Sequence, residues 1–272
     1  MRNSCPYART FEPTAMGAGP SGLADLPRPF VFRAKHLDGR TAQAGTRFHF
    51  DVNLFQVRDP PIPYFVLAFA QLAREGLGPG RGRAVLERVE QLHVDGGPPT
   101  EIFDGRRLQD AVRPSVLSLA PADEPISGVR VRFLTPTELK SEQELARQPE
   151  FGALMARIRD RLSTLSALYG AGALKMDFAS FGRRAAAVRL VHCDLELVEA
   201  QRLSRRTGRR HPLGGFVGVA AYEGELREFV PFLQAARFSG VGRQTTWGKG
   251  ELDIQVRKGG LTENPAKAQA YG

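Results

Sequence analysis

Cysteine and tryptophan are nearly missing from this chain: two cysteines, Cys5 and Cys193, and one tryptophan, Trp247, among 272 residues. Two cysteines are too few for a disulfide framework or a cysteine-based zinc site, so a reduced, cytoplasmic protein is expected. No apolar run is long enough to span a bilayer, and no basic amphipathic helix with a strong apolar face stands out, which argues against a membrane partner. The opening residues carry no charged and apolar leader, so secretion is not expected. Acidic residues are short too: 29 Asp and Glu stand against 38 Lys and Arg, giving a formal net charge of +9 and a pI of about 10.0. That excess points to a polyanionic partner. Much of it is arginine, whose planar fork suits phosphates and can stack on bases. A hydrophobic fraction of 42% supplies a core for one large domain or two ordinary ones.

Periodicity organises what is present. Residues 29–33 and 47–55 read as strands, with Phe48, Phe50, Val52 and Leu54 on one face of the second and His49, Asp51 and Asn53 on the other. Residues 63–74 read as a helix, followed by Gly76, Gly78, Gly80 and Gly82 and a strand-like stretch from Ala84 to Val89. Pro121, Asp123, Glu124 and Pro125 then break the periodicity. Beyond them come a strand over 128–133, a helix over 150–169, strands over 188–199 and 214–222, a helix over 226–238 and a last strand over 251–256. That order is strand-helix-strand-strand-helix-strand, the ferredoxin-like arrangement. The first half shows only strand-strand-helix-strand. Phe69-Ala-Gln-Leu-Ala-Arg74 and Phe232-Leu-Gln-Ala-Ala-Arg237 match locally, and each precedes a glycine-rich loop and a strand, which favours an internal duplication. The expectation is an α+β chain of tandem ferredoxin-like (RRM-like) domains, the first incomplete at its N-terminus. Residues 1–119 would form the incomplete domain, 120–127 a linker, 128–258 the complete domain and 259–272 a tail.

The loop before the last strand holds Gly240, Gly242, Arg243, Thr245, Thr246, Gly248, Lys249 and Gly250. Glycines free the backbone, and cations and hydroxyls beside them suit a phosphate chain. The loop is neither a dinucleotide fingerprint nor a P-loop. Thr245 stands where the third glycine of the first belongs, and Arg243 stands where the second needs glycine. A tight connection built from glycines is the plainer alternative.

Several stretches together carry a family resemblance: Cys5-Pro-Tyr-Ala with Phe11-Glu-Pro13, Arg28-Pro-Phe-Val-Phe-Arg33, Phe133-Leu-Thr-Pro-Thr137, His211-Pro-Leu-Gly-Gly-Phe-Val-Gly218 and the loop from Gly240 to Gly250. On these the chain resembles the RAMP superfamily of CRISPR-associated proteins, and more narrowly the endoribonuclease that cuts precursor CRISPR RNA within its repeats. The resemblance implies RNA cleavage without a metal or cofactor, by attack of a 2′-hydroxyl on the adjacent phosphate. It implies CRISPR repeat RNA as partner, with other CRISPR effector subunits alongside. Members usually begin with a strand and a helix ahead of the segment like Cys5-Pro-Tyr. Met1 lies only a few residues before it, so those elements, and the catalytic histidine many relatives keep near them, are expected to be missing. A non-catalytic RNA-binding subunit and a protein-interaction module stay open as alternatives.

Histidine suits either proton transfer at neutral pH. His36, in a cationic setting after a strand, is the candidate acid or base, against the plainer reading of a surface histidine. For RNA binding the candidates are the loop residues above and a crowded basic turn with Arg205, Arg206, Arg209, Arg210 and His211. Trp247 either stacks on a base or packs beneath the loop, the second being the commoner role. His49 with Asp51, and the row His192, Asp194 and Glu196, fall short of a metal site.

Overall fold

The computed structural model describes residues 5–13, 26–55, 61–78, 80–109, 114–141, 144–145, 148–199, 201–203, 210–212 and 214–259. Its N-terminal half carries a short helix α1 (Pro6–Phe11), an antiparallel pair β1 (Phe30–Arg33) and β2 (Asp51–Leu54), a helix α2 (Ile62–Glu75), and a second pair β3 (Val89–Gln91) and β4 (Thr100–Phe103). What holds these pieces is aromatic. Phe11, Phe30 and Phe65 meet pairwise at ring distances of 5.2–5.8 Å, and Phe69 reaches Phe32 at 5.9 Å and Phe50 at 4.9 Å. Such pairs add about 0.5–1.5 kcal/mol each beyond the area they bury.

The strand expected over 84–89 does not form. Residues 83–88 belong to no element, Val85 is exposed, and the chain turns back on α2 through a bond from the Ala84 N–H to the Ala73 carbonyl, 2.9 Å. Alternating apolar residues make a strand only when a neighbouring ladder takes their N–H and C=O groups. Strand pairing begins at Val89 instead. The second expected strand is also shortened, to Asp51–Leu54.

The C-terminal half opens with β5 (Ile126–Thr137), so pairing starts inside the expected linker. Two short strands, β6 (Lys140–Ser141) and β7 (Glu144–Leu145), lead to helices α3 (Phe151–Tyr169) and α4 (Phe178–Ala186). Strand β8 (Arg189–Val198), a hairpin of β9 (Gln201–Leu203) and β10 (Arg210–Pro212), strand β11 (Gly215–Glu223), helix α5 (Val230–Ser239) and strand β12 (Leu252–Lys258) complete it. The main sheet runs β12-β5-β11-β8, antiparallel throughout. Counting only its own strands, that order is fourth, first, third, second, with two crossovers carried by α3–α4 and α5. This is the ferredoxin-like topology. Val129, Val131 and Phe133 of β5 face the helices, where Phe151, Leu154, Met155 and Ile158 recur at helical spacing. Each fully buried large side chain there contributes about 1.5–3 kcal/mol.

Helix α4 was not legible as a periodic run, but its start is signalled by Asp177. That carboxylate accepts from the N–H groups of Ala179 and Ser180, both 3.0 Å, and from the Ser180 hydroxyl at 2.6 Å. The Ser180 hydroxyl bond, and then the backbone bonds, hold the Asp177 pKa below its ordinary value of 3.8. A depressed folded-state pKa stabilises above the unfolded value and loses that contribution as pH falls through the folded one. Asp177→Asn is therefore expected to flatten the acid limb of the stability curve below about pH 4. Thermal scans of both proteins across that range read the difference.

Candidate nucleic-acid interface

Helix α5 ends at Gly240, whose φ of 70° turns the chain into the glycine-rich loop. The loop closes on itself and on the sheet. Val241 N–H donates to the Gly250 carbonyl at 2.9 Å, Gly250 N–H to the Pro136 carbonyl at 3.2 Å, and the Thr135 hydroxyl to the Gly248 carbonyl at 2.9 Å. Its glycines are demanded by this folding. A Cβ on Gly250 would collide with the Val241 carbonyl oxygen, and one on Gly242 with the Glu138 carbonyl oxygen, both at positive φ.

The loop therefore has two sides. Val241, Thr245, Lys249 and Gly250 are buried, whereas Arg243 and Trp247 are exposed and Thr246 is half-buried. Lys249 donates from Nζ to the Gly214 carbonyl at 3.1 Å, and burial holds its pKa below the ordinary lysine value. Gly214 lies two residues past the end of β10, so Lys249 fastens the loop to the base of the β9–β10 hairpin. The exposed Arg243 pairs with the largely buried Glu138 at 3.1 Å, which leaves the outer side of its guanidinium toward solvent. Trp247 is 54% exposed, so the expectation that it packs beneath the loop is corrected.

The basic turn expected over residues 205–211 falls largely between β9 and β10 in sequence. Arg205, Arg206 and Arg209 fall outside the described residues, and for Arg210 and His211 only the backbone is described: they pair with Leu203 and Arg202. The hairpin is the arrangement that the sequence suggested for offering those side chains to a phosphate backbone.

Three side chains unmarked by the sequence hold the root of the loop. The last carbonyls of α5 have no helical partner. Arg33 Nη2 donates to the carbonyls of Arg237 and Phe238 at 3.1 and 3.3 Å, Asn53 Nδ2 to Phe238 at 2.9 Å, and Arg161 Nε to Ser239 at 2.8 Å. Cations suit that negative helix end. Arg33 and Asn53 come from β1 and β2, so this cap also docks the N-terminal half against the loop, where the Phe32 carbonyl sits beside Gly248. Only chain topology brings these groups together, and no local motif could have announced them.

His36 follows β1 in a short turn over Lys35–Leu37. Its Nε2 lies 2.8 Å from the His49 carbonyl, and the two imidazoles stack at 4.5 Å with both residues exposed. A carbonyl only accepts, so Nε2 carries hydrogen and Nδ1 is left for proton exchange.

The open face of the main sheet is a poor platform for bases. Arg130 and Arg132 stand across from Gln255 and Asp253 on one side and Ala221 and Val219 on the other, with His192 and Asp194 beyond. Arg130, Arg132, Val219, Asp253 and Gln255 line a shallow groove there. Aromatic rings, on which RRM-type sheets stack bases, are missing from these positions. Among the described residues no three His, Cys, Asp or Glu side chains gather closely enough to hold a metal ion, and no helix is long and apolar enough to cross a membrane.

Comparison with known proteins agrees with the topology. Residues 131–252 match the family described as CRISPR-associated endoribonuclease Cas6, and residues 1–116 match an N-terminal domain family, AF_1859_N. No curated protein matches the chain. A Thermus thermophilus Cas6 in its product complex aligns over 91% of this chain and 88% of its own, with 17% identity and a TM-score of 0.55. Another alignment to that protein covers 49% of this chain at 19% identity and a TM-score of 0.38, and there the chain spans 55% of its relative. A second Cas6 product complex aligns over 84% of this chain and 83% of its own, with 19% identity and a TM-score of 0.43. The fold is thus the tandem ferredoxin-like architecture shared with Cas6 structures. The match over residues 131–252 places the C-terminal domain in the CRISPR-associated Cas6 family.

Proposed function

We propose that this protein binds CRISPR repeat RNA and cleaves the precursor by metal-independent attack of a 2′-hydroxyl. One observation carries the reading. The stretch matching the Cas6 endoribonuclease family contains both the basic hairpin and the glycine-rich loop, and Lys249 joins the two at their base. RNA backbone would run across the β9–β10 hairpin and the outer rim of the loop, meeting Arg205, Arg206, Arg209, Arg210, His211, Arg243 and Thr246, with the exposed Trp247 stacking on a base. The buried residues Thr245, Lys249 and Gly250 would shape that rim from beneath.

In the cleavage step a base removes the 2′-hydroxyl proton, the 2′-oxygen bonds to phosphorus, and the bond to the 5′-oxygen breaks. The leaving oxygen takes a proton, giving a cyclic phosphate and a 5′-hydroxyl end. His36 Nδ1 is the candidate for one of these transfers.

Incubation with labelled repeat RNA in EDTA tests the proposal. Cleavage should proceed and should stop when the scissile nucleotide carries a 2′-deoxy sugar. Quenching of Trp247 fluorescence should report binding in the same samples and weaken steeply with salt. Salt-sensitive binding without cleavage would replace the nuclease by the RNA-binding subunit. Absent or salt-insensitive binding would leave the protein-interaction module.

A further inference from the structure

Arg33 and Arg161 belong to no RNA-facing surface. Arg33 sits at the end of β1 with its side chain only 8% exposed. Arg161 comes from α3. They cap consecutive carbonyls of one helix end, Arg237 and Phe238 by the first and Ser239 by the second, so their guanidiniums are held within one turn of each other. Arg33 caps through Nη2 and Arg161 through Nε. Arg33 Nη1 and Arg161 Nη2 are left over, sealed from solvent and with no hydrogen-bond partner among the described residues. Buried donors are nearly always satisfied, and a charged one left unmet is costly.

The charges are also unevenly balanced. Glu251 lies 4.0 Å from Arg33 Nε, and Asp51 adds to it from the neighbouring strand. Arg161 has no such support. Burial, and then the charge of Arg33, pull its pKa down to about 10. Two neighbouring buried cations, each with a donor left unmet, make a setting that favours negative charge.

We propose that Arg33 and Arg161 form an internal anion site behind the C-terminal end of α5, taking one small anion that accepts from Arg33 Nη1 and Arg161 Nη2 together. The anion would satisfy both donors, screen the two guanidiniums from one another, and fix the cap that docks the N-terminal half on the loop. Its source is a small dissolved anion such as a halide, since donors sealed from solvent lie beyond the reach of an RNA backbone. The site is independent of cleavage, since neither arginine is assigned a part in it.

Crystals of the full chain soaked in bromide decide the matter. An anomalous peak within hydrogen-bonding reach of both nitrogens is expected. Water density there, without anomalous signal, would overturn the proposal. Repeating the soak with repeat RNA bound should leave the peak in place; its loss would overturn an internal site independent of the RNA surface. In solution, raising bromide at constant ionic strength should raise the melting temperature of the wild type to a plateau. Arg161→Lys, which keeps charge but removes the fork, should abolish that rise, whereas Arg243→Ala should keep it. Equal responses in all three proteins would count against the site, and the wild-type crystals decide it should Arg161→Lys fail to fold.

Discussion

Alanine at Gly250 will destabilise the protein by about 3–5 kcal/mol, at the upper end of what single substitutions do. Gly250 has φ 66°, where a side chain alone costs roughly 1–2 kcal/mol. Its added Cβ would also run into the Val241 carbonyl oxygen. Neither neighbour can yield cheaply. Val241 N–H is bonded to the Gly250 carbonyl and Gly250 N–H to Pro136, and Val241 is itself fully buried. Separating the two strands of the loop gives up those bonds and opens the core beside α5. At roughly 2–4 °C per kcal/mol for a chain of this size, the melting temperature should fall by about 6–20 °C. Gly39→Ala supplies the control, because Gly39 has φ 70° but nothing near its would-be Cβ. It bears only the conformational strain. Similar losses at both positions would mean that the loop closes less tightly than these contacts require.

What could be read in the sequence followed range. The second half repeats apolar residues at strand and helix spacing, and its four long strands and its helices α3 and α5 appear within a few residues of their expected places. Ferredoxin-like order follows from that succession, because it depends on which elements come next to one another. Residues 84–89 misled for the converse reason. Val85 and Leu86 have the right character, but a strand needs a partner ladder, and none reaches them. Helix α4 hid behind a short arginine-rich segment whose only local signal was the cap Asp177.

The site divides in the same way. Glycine spacing singled out the loop, but could not say which of its residues would turn inward. Lys249 and Arg243 both read as phosphate ligands. Burial beside Gly214 separates the first from the exposed second. Arg33, Asn53 and Arg161 were invisible because they meet α5 across as many as 205 positions of chain. So was the stack of His49 on His36, two residues thirteen positions apart that only the β1–β2 pairing brings together.

That stack leads to the prediction with the largest expected effect on activity. His36→Ala should lower the rate of repeat cleavage by about 10²–10⁴-fold, the usual worth of one positioned proton transfer, and leave RNA affinity within about twofold. His36 is exposed and caps nothing, its one hydrogen bond running to the His49 carbonyl, so its removal should hardly disturb the fold. Added imidazole should restore part of the lost rate, because a diffusing base can replace a proton carrier but cannot replace a packing group. His49→Phe separates the two rings. It retains the main-chain carbonyl that fixes the His36 tautomer, and it retains an aromatic face for the stack. If His49 serves only as a platform, that variant should cleave within a few-fold of wild type. A His49→Phe loss as deep as that of His36→Ala, with imidazole rescue, would make both rings proton carriers, one for the 2′-hydroxyl and one for the leaving oxygen. Undiminished cleavage by His36→Ala would remove His36 from the chemistry.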